Sequence, residues 1–121
     1  MPPYAYGVHA GPVAQVLSEL YGMNAVGMKS FTTRELKEQI AADKPVIAWV
    51  VANCTWSAPY EYTDKAGNKV FTAPYEHVVI ITGNNETSLR YMNNSKFFDI
   101  PTEYFERSWS VLGNMVVYLD E

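Results

Sequence analysis

The chain has little of what builds most metal and redox sites. A single cysteine, Cys54, excludes an intrachain disulfide and any cysteine-rich metal centre. The two histidines, His9 and His77, lie far apart and outside any HExxH-type spacing, which argues against a zinc site. We therefore expect neither a metal nor a cofactor.

Positive charge and long apolar runs are also scarce. The net charge is −4 and no Lys/Arg stripe appears, so nucleic-acid binding is not expected. The longest apolar run, Val46 to Ala52, is far shorter than the roughly 20 residues that span a bilayer, so no membrane partner is expected. The opening residues show no basic region followed by an apolar one, and no secretory signal is predicted. The compartment stays open.

What is present suits one globular domain over residues 1–121, with an apolar fraction of 48%. Helical spacing predicts three helices, at Pro12 to Tyr21, Thr32 to Asp43 and Pro101 to Leu112. The first is expected to bury one stripe, which comprises Val13, Val16, Leu17, Leu20 and Tyr21. Thr32 and Glu35 form a capping box, which marks the start of the second helix. The third is expected to bury Tyr104, Phe105 and Trp109.

Strand patterns separate these helices. Val46 to Ala52 is apolar on both faces, which is typical of a central strand, and His77 to Thr82 has the same character. Leu89 to Asn93 returns after a GNNETS turn as a hairpin, and Met115 to Leu119 predicts a last strand. The order predicts an α+β fold with three helices and a mostly antiparallel sheet.

The segment from Thr55 to Glu76 contains the tetrapeptide APYE twice, around a DKAGNK turn. One interpretation is a hairpin arm whose ends are similar by chance. The other is an aromatic platform that holds a peptide or a sugar, since aromatic rings offer large contact area at low entropy cost. The platform would comprise Trp56, Tyr60, Tyr62, Phe71 and Tyr75, and the ligand-binding residues that we predict are Trp56, Tyr60, Tyr62 and Tyr75.

His77 is the strongest candidate for chemistry because two asparagines lie on the returning strand. Opposed residues of an antiparallel hairpin share a face. A four-residue loop, Asn84 to Thr87, places His77 opposite Asn94, and a loop one residue shorter places it opposite Asn93. Either amide could orient the imidazole, as the third member of a catalytic triad does. A lone histidine at a strand end is also often an ordinary partly buried residue.

A nucleophile to pair with His77 is harder to find. Cys54 ends a strand and no helix is predicted after it, whereas cysteine peptidases use a helix N-terminus to lower the thiol pKa. We therefore interpret Cys54 as a structural thiol. The remaining candidates are weaker: serines without an elbow motif, and acidic residues that are usually solvated. They are Ser57, Ser95, Glu61, Asp64 and Glu76.

From about Tyr6 onward the chain resembles bacterial proteins of the double-glycine (bacteriocin-processing) peptidase-like group, which are papain-fold cysteine peptidases. Five segments carry the resemblance by their order and spacing: YGVHAGPVAQVLSELYG, FTTRELKEQIAADKPVIAWV, EHVVIITG, LRYMNNS and FERSWSVLGNMVVYL. It implies a papain-like fold without its N-terminal helix segment. His77 matches the family's catalytic histidine, and Asn94 falls where the family has an aspartate followed by proline.

The resemblance also implies what this chain does not contain. In the family the nucleophilic cysteine and an oxyanion-hole glutamine precede the matched region, so we expect a peptidase-like domain that is inactive alone. Loss of the cysteine helix would uncover apolar surface, which predicts a homodimer. Two alternatives stay open, a non-catalytic peptide- or sugar-binding module and an unrelated small α+β scaffold.

Overall fold

The computed structural model describes residues 10–56, 60–63, 65–72 and 76–120, and for 60–62 and 70–72 it describes the backbone alone. Within these residues three helices and eight strands form. In chain order the elements are α1 (Ala10–Tyr21), β1 (Ala25–Met28), α2 (Thr33–Ala41), β2 (Val46–Val51), β3 (Tyr60–Thr63), β4 (Lys69–Thr72), β5 (Glu76–Asn84), β6 (Ser88–Asn93), β7 (Lys96–Pro101), α3 (Thr102–Ser110) and β8 (Val116–Leu119).

Six of the strands form one antiparallel sheet in the order β1-β8-β2-β5-β6-β7. The predicted α+β class with three helices and an antiparallel sheet is confirmed. β3 and β4 pair separately as a two-stranded hairpin, as one interpretation of the APYE segment requires. The sheet positions the functional residues, since β2, β5 and β6 are neighbours.

β2 is central because both of its faces are apolar. Val46, Ala48 and Val50 enter one core and Trp49 and Val51 the other. α2 and α3 cover the first face, and α1 packs on the second face beside β1 and β8. The two-sided burial predicted for this strand is thus present.

A capping side chain marks the start of α2, and glycines follow the ends of α1 and α3. Thr32 caps α2: its side chain accepts from the Glu35 N–H and the Glu35 side chain reaches back, which confirms the capping box. Gly22 and Gly113, after α1 and shortly after α3, have φ values of 67° and 72°. Glycine carries no Cβ penalty in this left-handed region, so the chain can leave each helix there.

One buried polar side chain ties α3 to the central strand. The Ser108 hydroxyl accepts a hydrogen bond from the Val51 N–H at 3.0 Å, and both residues are buried. An unpaired backbone N–H at such a place would cost free energy, so Ser108 completes the hydrogen bonding of β2 where its strand pairing ends.

Burial differs from the sequence expectation on α1 and α3. The predicted buried stripe of α1 holds only in part, since Val16, Leu20 and Tyr21 are 47%, 74% and 69% exposed while Ala10 and Ala14 are buried. Tyr104, expected on the buried edge of α3, is 54% exposed, whereas Phe105 and Trp109 are fully buried. Both helices dock through a narrower stripe.

The homodimer stays a prediction, which light scattering can test.

Candidate active site

His77 lies near the start of β5, at the open end of the first core. It pairs with Val50 of β2. Val79 and Ile81 follow it along β5 at every second position, and their side chains are buried beneath α2 and α3. Successive residues of a strand point to opposite faces, so His77 shares their face. Its side chain is half-buried, which leaves the imidazole at the border between the core and solvent.

Asn93, the last residue of β6, contacts the His77 ring. Its Oδ1 lies 2.6 Å from His77 Nε2. An amide oxygen can only accept, so the contact assigns the ring proton to Nε2 and the lone pair to Nδ1. Among the described residues no hydrogen bond reaches Nδ1. This is the tautomer in which an imidazole can take a proton through Nδ1.

The strand register shows why Asn93 and not Asn94 reaches the histidine. Ile80 is opposite Met92, so Asn93 falls opposite Val79, on the His77 face. His77 and Asn93 are therefore diagonal neighbours across the hairpin, a separation that side chains can span. Neither predicted register occurs, because β5 extends to Asn84, so the turn begins one residue later than predicted, and a β-bulge interrupts the pairing between Ile81 and Gly83. Sequence spacing alone does not reveal that bulge.

Asn94 has a different role in the structure. It begins the tight turn between β6 and β7 with φ of 51°, followed by Ser95 with φ of 66°. Asparagine tolerates this left-handed conformation better than most residues. Asn94 is exposed, and its place in the turn explains why an asparagine pair ends β6.

Two residues that sequence reasoning missed extend the contact. Asn53, in the turn after β2, accepts hydrogen bonds on Oδ1 from Asn93 Nδ2 at 2.9 Å and from the Tyr91 hydroxyl at 2.8 Å. Tyr91 precedes Asn93 by two residues, so strand alternation could have placed it on this face. Asn53 had no comparable signal, since only the fold brings the β2 turn to the end of β6. We call His77, Asn93, Asn53 and Tyr91 the histidine network.

Cys54 follows Asn53 but is not arranged as a nucleophile. The residue is 6% exposed and has φ of 58°. Burial raises its pKa to about 11, opposed by a hydrogen bond with Tyr91. A thiol with so high a pKa is almost wholly protonated at neutral pH, and the thiolate is the reactive form. Its hydrogen bond goes to the Tyr91 phenol, while that of His77 goes to Asn93.

The predicted aromatic platform is described only in part. Trp56 is 57% exposed and lines a cavity of about 240 Å³ with Tyr104 and Arg107. The side chains of Tyr60 and Tyr62 in β3 lie outside the described residues, as does Tyr75. Their ligand-binding role stays a prediction. His9, Ser57 and Asp64, and the side chains of Glu61 and Phe71, also lie outside the described residues.

Other features of the described chain do not add to the histidine network. A larger cavity of about 460 Å³ lies at the far end of β5, beside the exposed ion pair between Arg90 and Asp99. In the described part of the chain, no three His, Cys, Asp or Glu side chains gather as a metal site would need. No described helix combines the length and apolarity of a membrane span.

Comparison with known proteins agrees on the fold. No family model matches the chain, and no curated protein matches it. Among solved structures, a crystal structure of a Bacillus anthracis protein assigned as a C39-like peptidase matches with a TM-score of 0.83 and 23% sequence identity. The match covers 96% of this chain and 60% of that one, so the chain spans about three fifths of its structural neighbour. The chain therefore has a C39 peptidase-like fold, in agreement with the papain-like fold that the resemblance predicts.

Proposed function

We propose that these 121 residues form a papain-like peptidase domain that holds the base histidine and the orienting asparagine of a cysteine-peptidase site. We propose further that this polypeptide does not hydrolyse peptides by itself. The 2.6 Å contact between His77 Nε2 and Asn93 Oδ1 carries the proposal. It joins two adjacent strands of a packed sheet, so the ring is held in place without a ligand.

The arrangement is suited to one half of a nucleophilic mechanism. With Nε2 bonded to the amide, Nδ1 can accept the proton of a thiol placed against it, and the same nitrogen can later return the proton to a leaving amine. Asn93 orients the ring as a carboxylate would, but it adds no negative charge. An imidazolium formed at His77 is therefore less stabilised than one paired with an aspartate.

The missing component is an activated thiol. The sequence contains one cysteine, Cys54. Its buried thiol has a raised pKa and interacts with the Tyr91 side chain. Removing the nucleophile from a catalytic triad costs about 10⁶ in rate, which corresponds to roughly 8 kcal/mol of barrier. Hydrolysis by the 121-residue polypeptide should therefore fall below practical detection.

A peptidase assay with matched variants tests this proposal. Wild type, His77→Ala and Cys54→Ala should give the same background with a panel of fluorogenic peptides. Turnover that disappears in both variants would make Cys54 the nucleophile and would refute the proposed inactivity. The genomic DNA upstream of the Met1 codon gives an independent test. A reading frame that continues into a Gln…Cys-Gly helix motif supports the peptidase domain, and a start site at Met1 supports the alternative below.

Alkylation of Cys54 measures its state directly. A pKa raised from 9.0 to about 11 lowers the thiolate fraction near neutral pH about 100-fold. Iodoacetamide should therefore label the folded chain at least about 100-fold more slowly than the urea-unfolded chain. Equal rates in the two states would contradict the assignment of Cys54 as a structural thiol.

A non-catalytic peptide- or sugar-binding module is the second candidate. The exposed Trp56 beside Tyr104 and Arg107 favours it, because an aromatic face next to a cation suits a peptide or a sugar ligand. Trp49 and Trp109 are buried, so acrylamide quenching of tryptophan fluorescence reports chiefly on Trp56. Peptides or oligosaccharides that protect wild type from quenching would support this candidate, provided that Tyr104→Ala weakens the protection.

A further inference from the structure

The amide of Asn93 has two ends of nearly equal shape, and only one orientation suits a base histidine. With Oδ1 toward His77, the amide accepts from Nε2–H and the lone pair stays on Nδ1. With the NH₂ group toward the ring, Nε2 must accept and Nδ1 carries the proton. A wrong tautomer costs about 10⁴ in kcat in a serine-peptidase triad, so the orientation of this amide matters.

Asn53 distinguishes the two orientations. Its Oδ1 lies 2.9 Å from Asn93 Nδ2, and the Tyr91 hydroxyl donates to the same oxygen at 2.8 Å. A carbonyl oxygen has two lone pairs, so both donors can be satisfied. While Asn53 Oδ1 faces Asn93, the NH₂ group of Asn93 has to point to Asn53. The Asn93 oxygen then has to point to His77.

Tyr91 and Cys54 oppose the reversed arrangement. If the Asn53 amide turned over, its NH₂ group would face the Tyr91 oxygen, and the phenol proton would have to go to another acceptor. The Cys54 sulfur, which lies beside this phenol, is a weak acceptor. In the observed arrangement the phenol donates to an amide oxygen, and the protonated thiol can donate to the phenol oxygen. The observed direction therefore uses the stronger acceptor.

We infer that Asn53 and Tyr91 are positioning residues that select the base-competent tautomer of His77 by holding the Asn93 amide in one orientation. Both act through Asn93 and neither is expected to contact a substrate. The inference rests on the proposed function for the role of His77 as a base. The tautomer itself can be measured without any peptidase activity.

Nuclear magnetic resonance of the histidine ring tests the inference. Long-range ¹H–¹⁵N spectra distinguish Nε2–H from Nδ1–H rings, and His9→Gln in every sample leaves His77 as the single histidine. At a pH where the ring is neutral, wild type should show the Nε2–H pattern. Asn53→Leu and Tyr91→Phe should each shift both ring nitrogens toward the averaged values of a tautomer mixture.

Asn53→Asp is the matched control. Aspartate keeps the acceptor oxygen at this exposed position and has no NH₂ group, so it cannot adopt the reversed arrangement. This variant should retain the Nε2–H pattern. The Trp109 indole N–H, which donates to the Met115 carbonyl in the core, reports folding in the same samples. If Asn53→Leu loses that signal, Asn53→Ser replaces it as the smaller change.

The outcomes separate this inference from the proposed function. Wild-type ring signals in folded Asn53→Leu and Tyr91→Phe, together with altered signals in Asn93→Leu, would overturn the positioning role and leave the His77–Asn93 pair intact. Loss of the Nε2–H pattern in Asn53→Asp would also overturn it. Wild-type signals in Asn93→Leu would refute the pair itself, and with it the base role on which the proposed function depends.

Discussion

The buried thiol of Cys54 predicts that stability falls between pH 7 and pH 10. Burial raises its pKa from 9.0 in the unfolded chain to about 11 in the folded one. Between these values the unfolded chain has released the thiol proton and the folded chain has kept it. The folded state thus binds more protons, so the free energy of unfolding decreases as pH rises through this window.

The size of the effect follows from the two pKa values. At pH 10 the thiol is mostly ionised in the unfolded chain and mostly protonated in the folded one, a roughly tenfold difference in partition function. This difference corresponds to about 1.4 kcal/mol lost relative to pH 7. The whole shift of two units would remove about 2.7 kcal/mol above pH 11. Below pH 8 the contribution is fully present.

Cys54→Ala isolates this contribution. The variant loses the ionisable group, and any packing change that it causes is common to both pH values. Urea unfolding under reducing conditions, followed by tryptophan fluorescence, should show wild type losing about 1.4 kcal/mol more than Cys54→Ala between pH 7 and pH 10. Equal losses would refute the reasoning, because they would show that the thiol titrates alike in the folded and unfolded chains.

Two further predictions concern packing and hydrogen bonding within the fold. Ser108→Ala should lower the free energy of unfolding by about 1–3 kcal/mol, because it leaves the buried β2 N–H unpaired; the exposed Ser110→Ala should change it by less than about 0.5 kcal/mol. Gly27→Ala should cost about 1–3 kcal/mol, since a Cβ there would lie 2.9 Å from the Ala10 backbone and push α1 from the sheet. Gly11→Ala, with no neighbouring atom within 4 Å, should be neutral or stabilising. Urea unfolding measures all four, and equal costs within either pair would contradict the argument.

Much of the fold could be predicted because its signals are local. The α2 capping box and the two-sided apolar pattern of Val46–Val51 each depend on a few neighbouring residues. β1 and β7 were not predicted because their local signals are weak. Ala25–Met28 is short and contains a glycine, and Lys96–Pro101 ends in a proline that suggested the start of α3. Both are edge strands, which pair with one neighbouring strand only. Their apolar pattern is therefore weaker than that of a central strand.

The site was less accessible from the sequence because its parts are distant along the chain. His77 and the asparagine pair were recognisable, since a hairpin joins them. Strand alternation could have placed Tyr91 on the same face, but its contact with Asn53 depends on where the turn after β2 comes to lie. Tyr104 shows the same limit, since helical spacing suggested burial on a face that α3 leaves exposed.

The sequence by itself determined the three helices and the central strands, and that a histidine and an amide would lie on paired strands. Tertiary structure alone decided that Asn93 makes the contact, and that Asn53 and Tyr91 hold it in one orientation. The reason is physical. Propensity and periodicity act over a few residues, whereas the register depends on where the turn begins and on one β-bulge. A displacement of one residue exchanges the faces of the strand.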